Sequence, residues 1–139
     1  MSVVLGYDES PGARRALRVA IEVAAAYGEP LVIVHGGAAP GVPGEEHGAR
    51  HEAVREAGNA ALAHAVRVAG EAGVPTVAEL VDEPPARALT DAAARHGGRV
   101  IVVGTWGESP VRPAPPGSTP HELLRLSRVP VLCVPAAGS

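Results

Sequence analysis

The chain contains no lysine; all twelve of its Lys/Arg positions are arginine. That absence excludes both a Walker-type phosphate lysine and a Schiff-base lysine. There is no phenylalanine either, and aromatic residues make up 2% of 139 positions. Val, Leu, Ile and Ala must therefore fill the interior, and such small side chains suit helices packed closely on a sheet. The lone cysteine, Cys133, cannot form an intrachain disulfide; lying in an apolar run, it reads as a buried, inert thiol. No apolar stretch approaches the roughly 18 residues that a bilayer-spanning helix needs. No charged-then-apolar leader opens the sequence, so the expected location is the cytoplasm. A net charge of −3 supplies neither a basic face for nucleic acid nor a polybasic patch for a membrane.

What is present is a globular composition, 46% hydrophobic and 19% charged, at a length that suits one domain over residues 1–139. Residues 2–7 (SVVLGY), 30–35 (PLVIVH) and 99–103 (RVIVV) are short apolar runs that read as buried strands. Residues 76–81 and 129–134 (VPVLCV) add two more, the former less apolar. Helical patterns separate them. Ser10 offers an N-cap hydroxyl and Pro11 occupies the first helical position. Ala13, Ala16, Leu17, Ala20, Ile21 and Ala24 then recur at helical spacing until Gly28. A Gly/Pro-rich loop over 36–48 leads to a helix over about 52–72, stopped by Gly73. Pro84 and Pro85 introduce a third helix to about residue 96, with Ala86, Leu89 and Ala93 facing inward. Thr119-Pro-His-Glu122 reads as a capping box with proline at the first helical position, followed by Leu123, Leu124 and Leu126 as apolar contacts.

The order is thus β-α-β-α-β-α-β-α-β. Continuous rather than alternating apolar strands mean that both sheet faces are covered. The expectation is an α/β fold, a doubly wound parallel five-stranded sheet. Strand order 3-2-1-4-5 would place the ligand crevice beyond the carboxyl ends of strands 1 and 4, where the winding reverses. Pro130 cannot donate to a ladder and argues for an edge position of the last strand. An apolar edge is most simply covered by the same edge of a second copy, so a homodimer through the C-terminal strand is expected.

Asp8 ends the first strand, and GTWGESPVRPAPPGS (104–118) follows the fourth. Gly104 and Gly107 would let the backbone approach a ligand without Cβ interference. Gly117 and Ser118 precede a helix beginning near Pro120, whose free amides and dipole form an anion site needing no lysine. The plainer reading is that these glycines are ordinary turn residues and the prolines a surface excursion. Trp106 either covers the ligand or packs on the loop. His35 reads as a hydrogen-bonded structural histidine beside the crevice. His47 and His51, four apart, have a spacing that can share a metal but lack a third ligand, so they read as a solvated face. Ser118 has no His–Asp partnership for serine hydrolysis.

Gly104-x2-Gly107-x9-Gly117-Ser118 resembles the nucleotide-binding signature of the universal stress protein family. VVLGYDESPGARRALRVAIEVA, PLVIVHGG, VDEPPARALTDAAARHGGRVIVVGTWG and SRVPVLCVP resemble further stretches of that family, so the likeness covers nearly the whole chain. It implies a Rossmann-like, adenine nucleotide alpha hydrolase-like fold. By the same resemblance Asp8 lies beside the nucleotide and the backbone at Gly36 meets adenine. Gly104, Gly107, Gly117 and Ser118, with Thr119, would wrap ribose and phosphates. The implied ligand is ATP or AMP, with Mg2+ as a candidate companion, in a stress-responsive regulatory homodimer. With no general base or metal-binding carboxylate pair in the sequence, the expected hydrolysis is slow or absent. The alternative is a family member that has lost the nucleotide and works as a protein-interaction dimer. Prolines within 112–116 remove amide donors, and Glu108 and Glu122 set negative charge near the would-be phosphates.

Overall fold

Each apolar run in the sequence becomes a strand, and every strand pairing is parallel. The computed structural model describes residues 1–37, 45–105 and 118–136, the side chains of 45–51 and 118 excepted. In chain order the elements are β1 (Ser2–Gly6), α1 (Pro11–Tyr27), β2 (Leu31–Gly36), α2 (Glu45–Glu71), β3 (Thr76–Val81), α3 (Pro85–His96), β4 (Gly98–Gly104), α4 (Ser118–Leu126) and β5 (Val131–Val134). The sheet order is β3-β2-β1-β4-β5. This is the doubly wound order expected from sequence, and its direction reverses between β1 and β4.

Alternation along the central strands divides the interior in two. Val3, Leu5, Leu31 and Ile33 face α1 and α2, joined by Ala16, Leu17, Ala20 and Ala65. Val4, Val32, Val34, Ile101 and Val103 face the other way, against Leu89 and Ala92 of α3 and Leu123 of α4. Both faces of β1 are closed to solvent, which is why its sequence shows no polar alternation.

Helices α1 and α3 begin and end on the predicted signals. Ser10 Oγ accepts the Ala13 N–H at 3.2 Å, with Pro11 in the first turn. Gly28 at φ 65° then lets α1 turn off, and the predicted stripe is the buried one. Gly97 at φ 61° closes α3 in the same way. Other expectations shift. α2 begins at Glu45, inside the stretch expected to be loop, because the structure extends the helix past the region where apolar periodicity is legible. α4 begins at Ser118, so Thr119 lies within its first turn and Pro120 is its third residue. Proline is tolerated there because the first amides of a helix lack intrahelical acceptors. Only Leu123 of the expected α4 contacts is buried; Leu124 is 72% exposed and Leu126 37%. Pro130 lies just before β5, where its carbonyl accepts the Ile101 N–H at 2.9 Å, and β5 is indeed an edge. Cys133 is exposed rather than buried, because β5 has no strand on its outer side.

One ion network fastens the β3 edge to the end of α3. Arg95 meets Glu79 through both guanidinium nitrogens, at 2.7 and 2.8 Å, and His96 Nε2 donates to the same carboxylate at 2.6 Å. The Arg95 hydrogen bonds, followed by that of His96, hold the Glu79 carboxyl down at about 2 against an ordinary 4.5. A depressed carboxyl stabilises the fold above its unfolded pKa, and that stability disappears as pH falls from about 4.5 to about 2. Half of Arg95 faces solvent, so screening limits the effect to about 1–2 kcal/mol. Urea unfolding should find Glu79→Gln less stable than wild type by that amount at pH 7, with the two converging near pH 2. A gap that persists at pH 2 would refute the assignment.

Candidate functional site

The turn after β1 is built from three consecutive residues. Asp8 Oδ1 accepts the Ser10 N–H at 3.0 Å. Glu9 sits at φ 63°, an unusual conformation for a residue with a side chain. Ser10 then caps α1. The chain thus passes from β1, ending at Gly6, to α1, starting at Pro11, leaving Asp8 exposed at the switch point.

A small open cleft of about 110 Å³ lies there. Gly6, Val34, Leu89 and Val103 make an apolar floor, while Asp8 and Ser10 of the turn after β1 and Thr119 of α4 supply polar groups. Gly36 and Pro85 form one wall and Gly104 another. Of the residues expected from sequence, Asp8, Gly36, Gly104 and Thr119 come together in this cleft. Ser118 begins α4 beside Thr119, placing the first turn of that helix at the cleft. Gly107 and Gly117 lie outside the described residues, as do Trp106, Glu108 and the prolines of 112–116. So do the side chains of His47 and His51, which fall on α2. Glu122, expected near the phosphates, is exposed on α4 and pairs with Arg125 at 3.2 Å.

Gly36 and Gly104 each face another element of the fold closely. A Cβ on Gly104 would not point into open space for a ligand; it would strike the Gly12 carbonyl oxygen at 2.5 Å and the Ala13 nitrogen at 2.7 Å. A Cβ on Gly12 would meet the Thr105 carbonyl at 2.6 Å. Two bare backbones therefore touch, and the first turn of α1 is pressed onto the end of β4. Thr105 N–H donates to the Val134 carbonyl at 2.9 Å, fixing the chain as it leaves β4. At Gly36 a Cβ would crowd Pro85 Cα at 3.0 Å and the Glu83 carbonyl at 3.1 Å. Sequence reasoning missed Gly12, although glycine in the first turn of a strongly patterned helix is itself a sign of close backbone approach. It also missed the apolar floor, whose residues look like any other core positions.

Tyr7 also borders the cleft, but its side chain and that of His35 lie on the α2 face of the sheet. The Tyr7 ring stacks on His64 of α2, with centroids 6.5 Å apart. Burial, and then the Glu9 charge, push its phenol up. His35 Nδ1 lies 2.8 Å from the Tyr7 carbonyl, to which it donates, as the reading of a hydrogen-bonded histidine anticipated.

Fold and cleft together define a doubly wound α/β protein with an open crevice at its switch point. The model of the universal stress protein family matches residues 1–135, and the chain belongs to that family. A universal stress family protein from Burkholderia pseudomallei is similar in structure, with 32% identity, 97% of this chain and 96% of that one covered, and a TM-score of 0.80. A universal stress protein in complex with cAMP shows 27% identity over 99% of this chain and 98% of its own, with a TM-score of 0.73. Another, from Archaeoglobus fulgidus in complex with dAMP, shows 24% identity over 96% and 97%, with a TM-score of 0.70. Among curated proteins none matches significantly. No helix among the described residues is long and apolar enough to cross a membrane.

Proposed function

We propose that the cleft at the β1/β4 switch point binds an adenine nucleotide, ATP or AMP, and that the protein acts as a nucleotide-dependent regulatory homodimer in stress response. The observation that carries this reading is the convergence of Asp8, Gly36, Gly104 and Thr119 on one apolar-floored cleft. The base slides between the Gly36 wall and the floor at Leu89 and Val103. Asp8 accepts hydrogen bonds from the ribose hydroxyls. The amides of the first turn of α4, from Ser118, meet phosphate without any ammonium partner. By the family resemblance Gly107 and Gly117, which lie outside the described residues, would complete the cradle, and Mg2+ would accompany the phosphates of ATP. Nucleotide-bound relatives support the ligand class. The exposed β5 edge, with Leu132 and Cys133 uncovered, supports pairing with a second copy. Turnover is slow or absent and the protein works by binding, as a single domain in the cytoplasm.

Titration calorimetry with ATP and AMP, with and without Mg2+, tests the reading. Binding is expected at or below millimolar nucleotide. Asp8→Ala should weaken it about tenfold, the worth of a charge-assisted hydrogen bond near 1.5 kcal/mol. No heat from either nucleotide at millimolar concentration would remove the proposal and leave the protein-interaction dimer in its place.

A further inference from the structure

His35 lies outside the apolar floor, yet its side chain touches what positions the cleft. Alternation on β2 points it with Leu31 and Ile33 toward α2, away from the nucleotide side. There it enters a notch made by Gly58, where a Cβ would stand 2.9 Å from His35 Cδ2 and 3.2 Å from its Nε2. The same virtual atom would be 2.7 Å from Leu80 Cδ1. Helix α2 therefore packs against the imidazole with no side chain between them. The other edge of the ring holds the Tyr7 carbonyl at 2.8 Å, while the Tyr7 N–H donates to the Val34 carbonyl at 3.0 Å. Both main-chain polar groups of Tyr7 are thus taken by β2 or its side chain, and its ring is stacked on α2. The carbonyl that His35 grips belongs to the peptide unit joining Tyr7 to Asp8. Beyond that bond come only Glu9, in its unusual conformation, and the helix cap.

We propose that His35 is a positioning residue: held by α2 at Gly58, it fixes the Tyr7–Asp8 peptide and thereby the aim of the Asp8 carboxylate. The consequence for affinity rests on the nucleotide reading above; the ordering of the turn does not. A carbonyl only accepts, so Nδ1 carries the proton. Asparagine places an amide nitrogen the same number of bonds from Cα, and so can replace the donor; leucine cannot.

The test uses the full chain, with His35→Leu, His35→Asn and Gly58→Ala. In the nucleotide-free protein, amide hydrogen exchange is read at Ser10, whose N–H is held by Asp8. It should quicken at least fivefold in His35→Leu and Gly58→Ala and stay within twofold of wild type in His35→Asn. AMP and ATP titrations should follow the same order, with His35→Leu at least fivefold weaker and His35→Asn rescued. Unchanged exchange at Ser10 in His35→Leu overturns the proposal, as does equal loss in the leucine and asparagine variants, which would mean ring packing alone matters. Should His35→Leu fail to fold, Gly58→Ala, which displaces the ring without removing it, decides by the same readout. Wild type that binds no nucleotide would defeat the preceding reading only; the exchange rates still judge the clamp.

Discussion

Gly104→Ala is expected to lower stability by about 3 kcal/mol or more, a large fraction of the roughly 5–15 kcal/mol that keeps a domain folded. The added methyl group would meet main-chain atoms of Gly12 and Ala13, at 2.5 and 2.7 Å for the oxygen and nitrogen. A clash with the far end of a flexible side chain relaxes by rotation; a clash with backbone does not. Relief would require the start of α1 to move outward by about 1 Å, and that helix is tied down by the buried stripe from Ala13 to Ala24. Gly12→Ala should behave alike, since its Cβ points at the Thr105 carbonyl from the other side. Gly70→Ala is the control: within α2, with nothing inside 4 Å, it should leave stability unchanged or raise it by about 0.5–1 kcal/mol. Urea denaturation of the three variants decides. Were Gly104→Ala as stable as wild type, the contact between α1 and β4 would not be as close as described.

Leu89→Ala carries the second large effect, about 3 kcal/mol of lost stability. Leu89 is 1% exposed, at the centre of the α3 face. Its Cδ1 would lie only 2.9 Å from a Cβ on Gly6, so it fills the space that Gly6 leaves open on β1. Truncation removes that filling, and because Leu89 also floors the cleft, the void opens into the cleft rather than closing as an interior cavity. Two readouts are expected to fall together: the denaturation midpoint, and the affinity for AMP, whose base would lose its apolar support. Leu124→Ala is the contrast, since that leucine is 72% exposed and should move neither by a measurable amount. A Leu89→Ala protein with undiminished stability would contradict the packing of α3.

How much was legible in advance differs by element. Residues 76–81 were read to the residue, and the termini of α1 followed from Ser10, Pro11 and Gly28 because caps are local chemistry. The start of α2 was not, since its amphipathic pattern is weak in its first turns. Leu124 and Leu126 were misjudged because α4 lies at the rim of the sheet, where only the face carrying Leu123 has a neighbour. Cys133 was misjudged for the same reason: an apolar run looks alike whether its strand is flanked on both sides or on one.

For the candidate site, the residue types and their strand-end neighbourhood were legible in the sequence. The lack of lysine, the glycine spacing after β4 and the aspartate after β1 all depend on residue types at short range, which any reader of the chain can see. Strand order brought Asp8 and Gly104 within one cleft although they are far apart in sequence. What the tertiary structure alone decided is what each small residue is small for. Gly104 yields space to Gly12, Gly36 to the start of α3, Gly6 to Leu89 and Gly58 to His35. A missing side chain is written in the sequence, but the atom that occupies its place comes from another element, and only folding brings the two together.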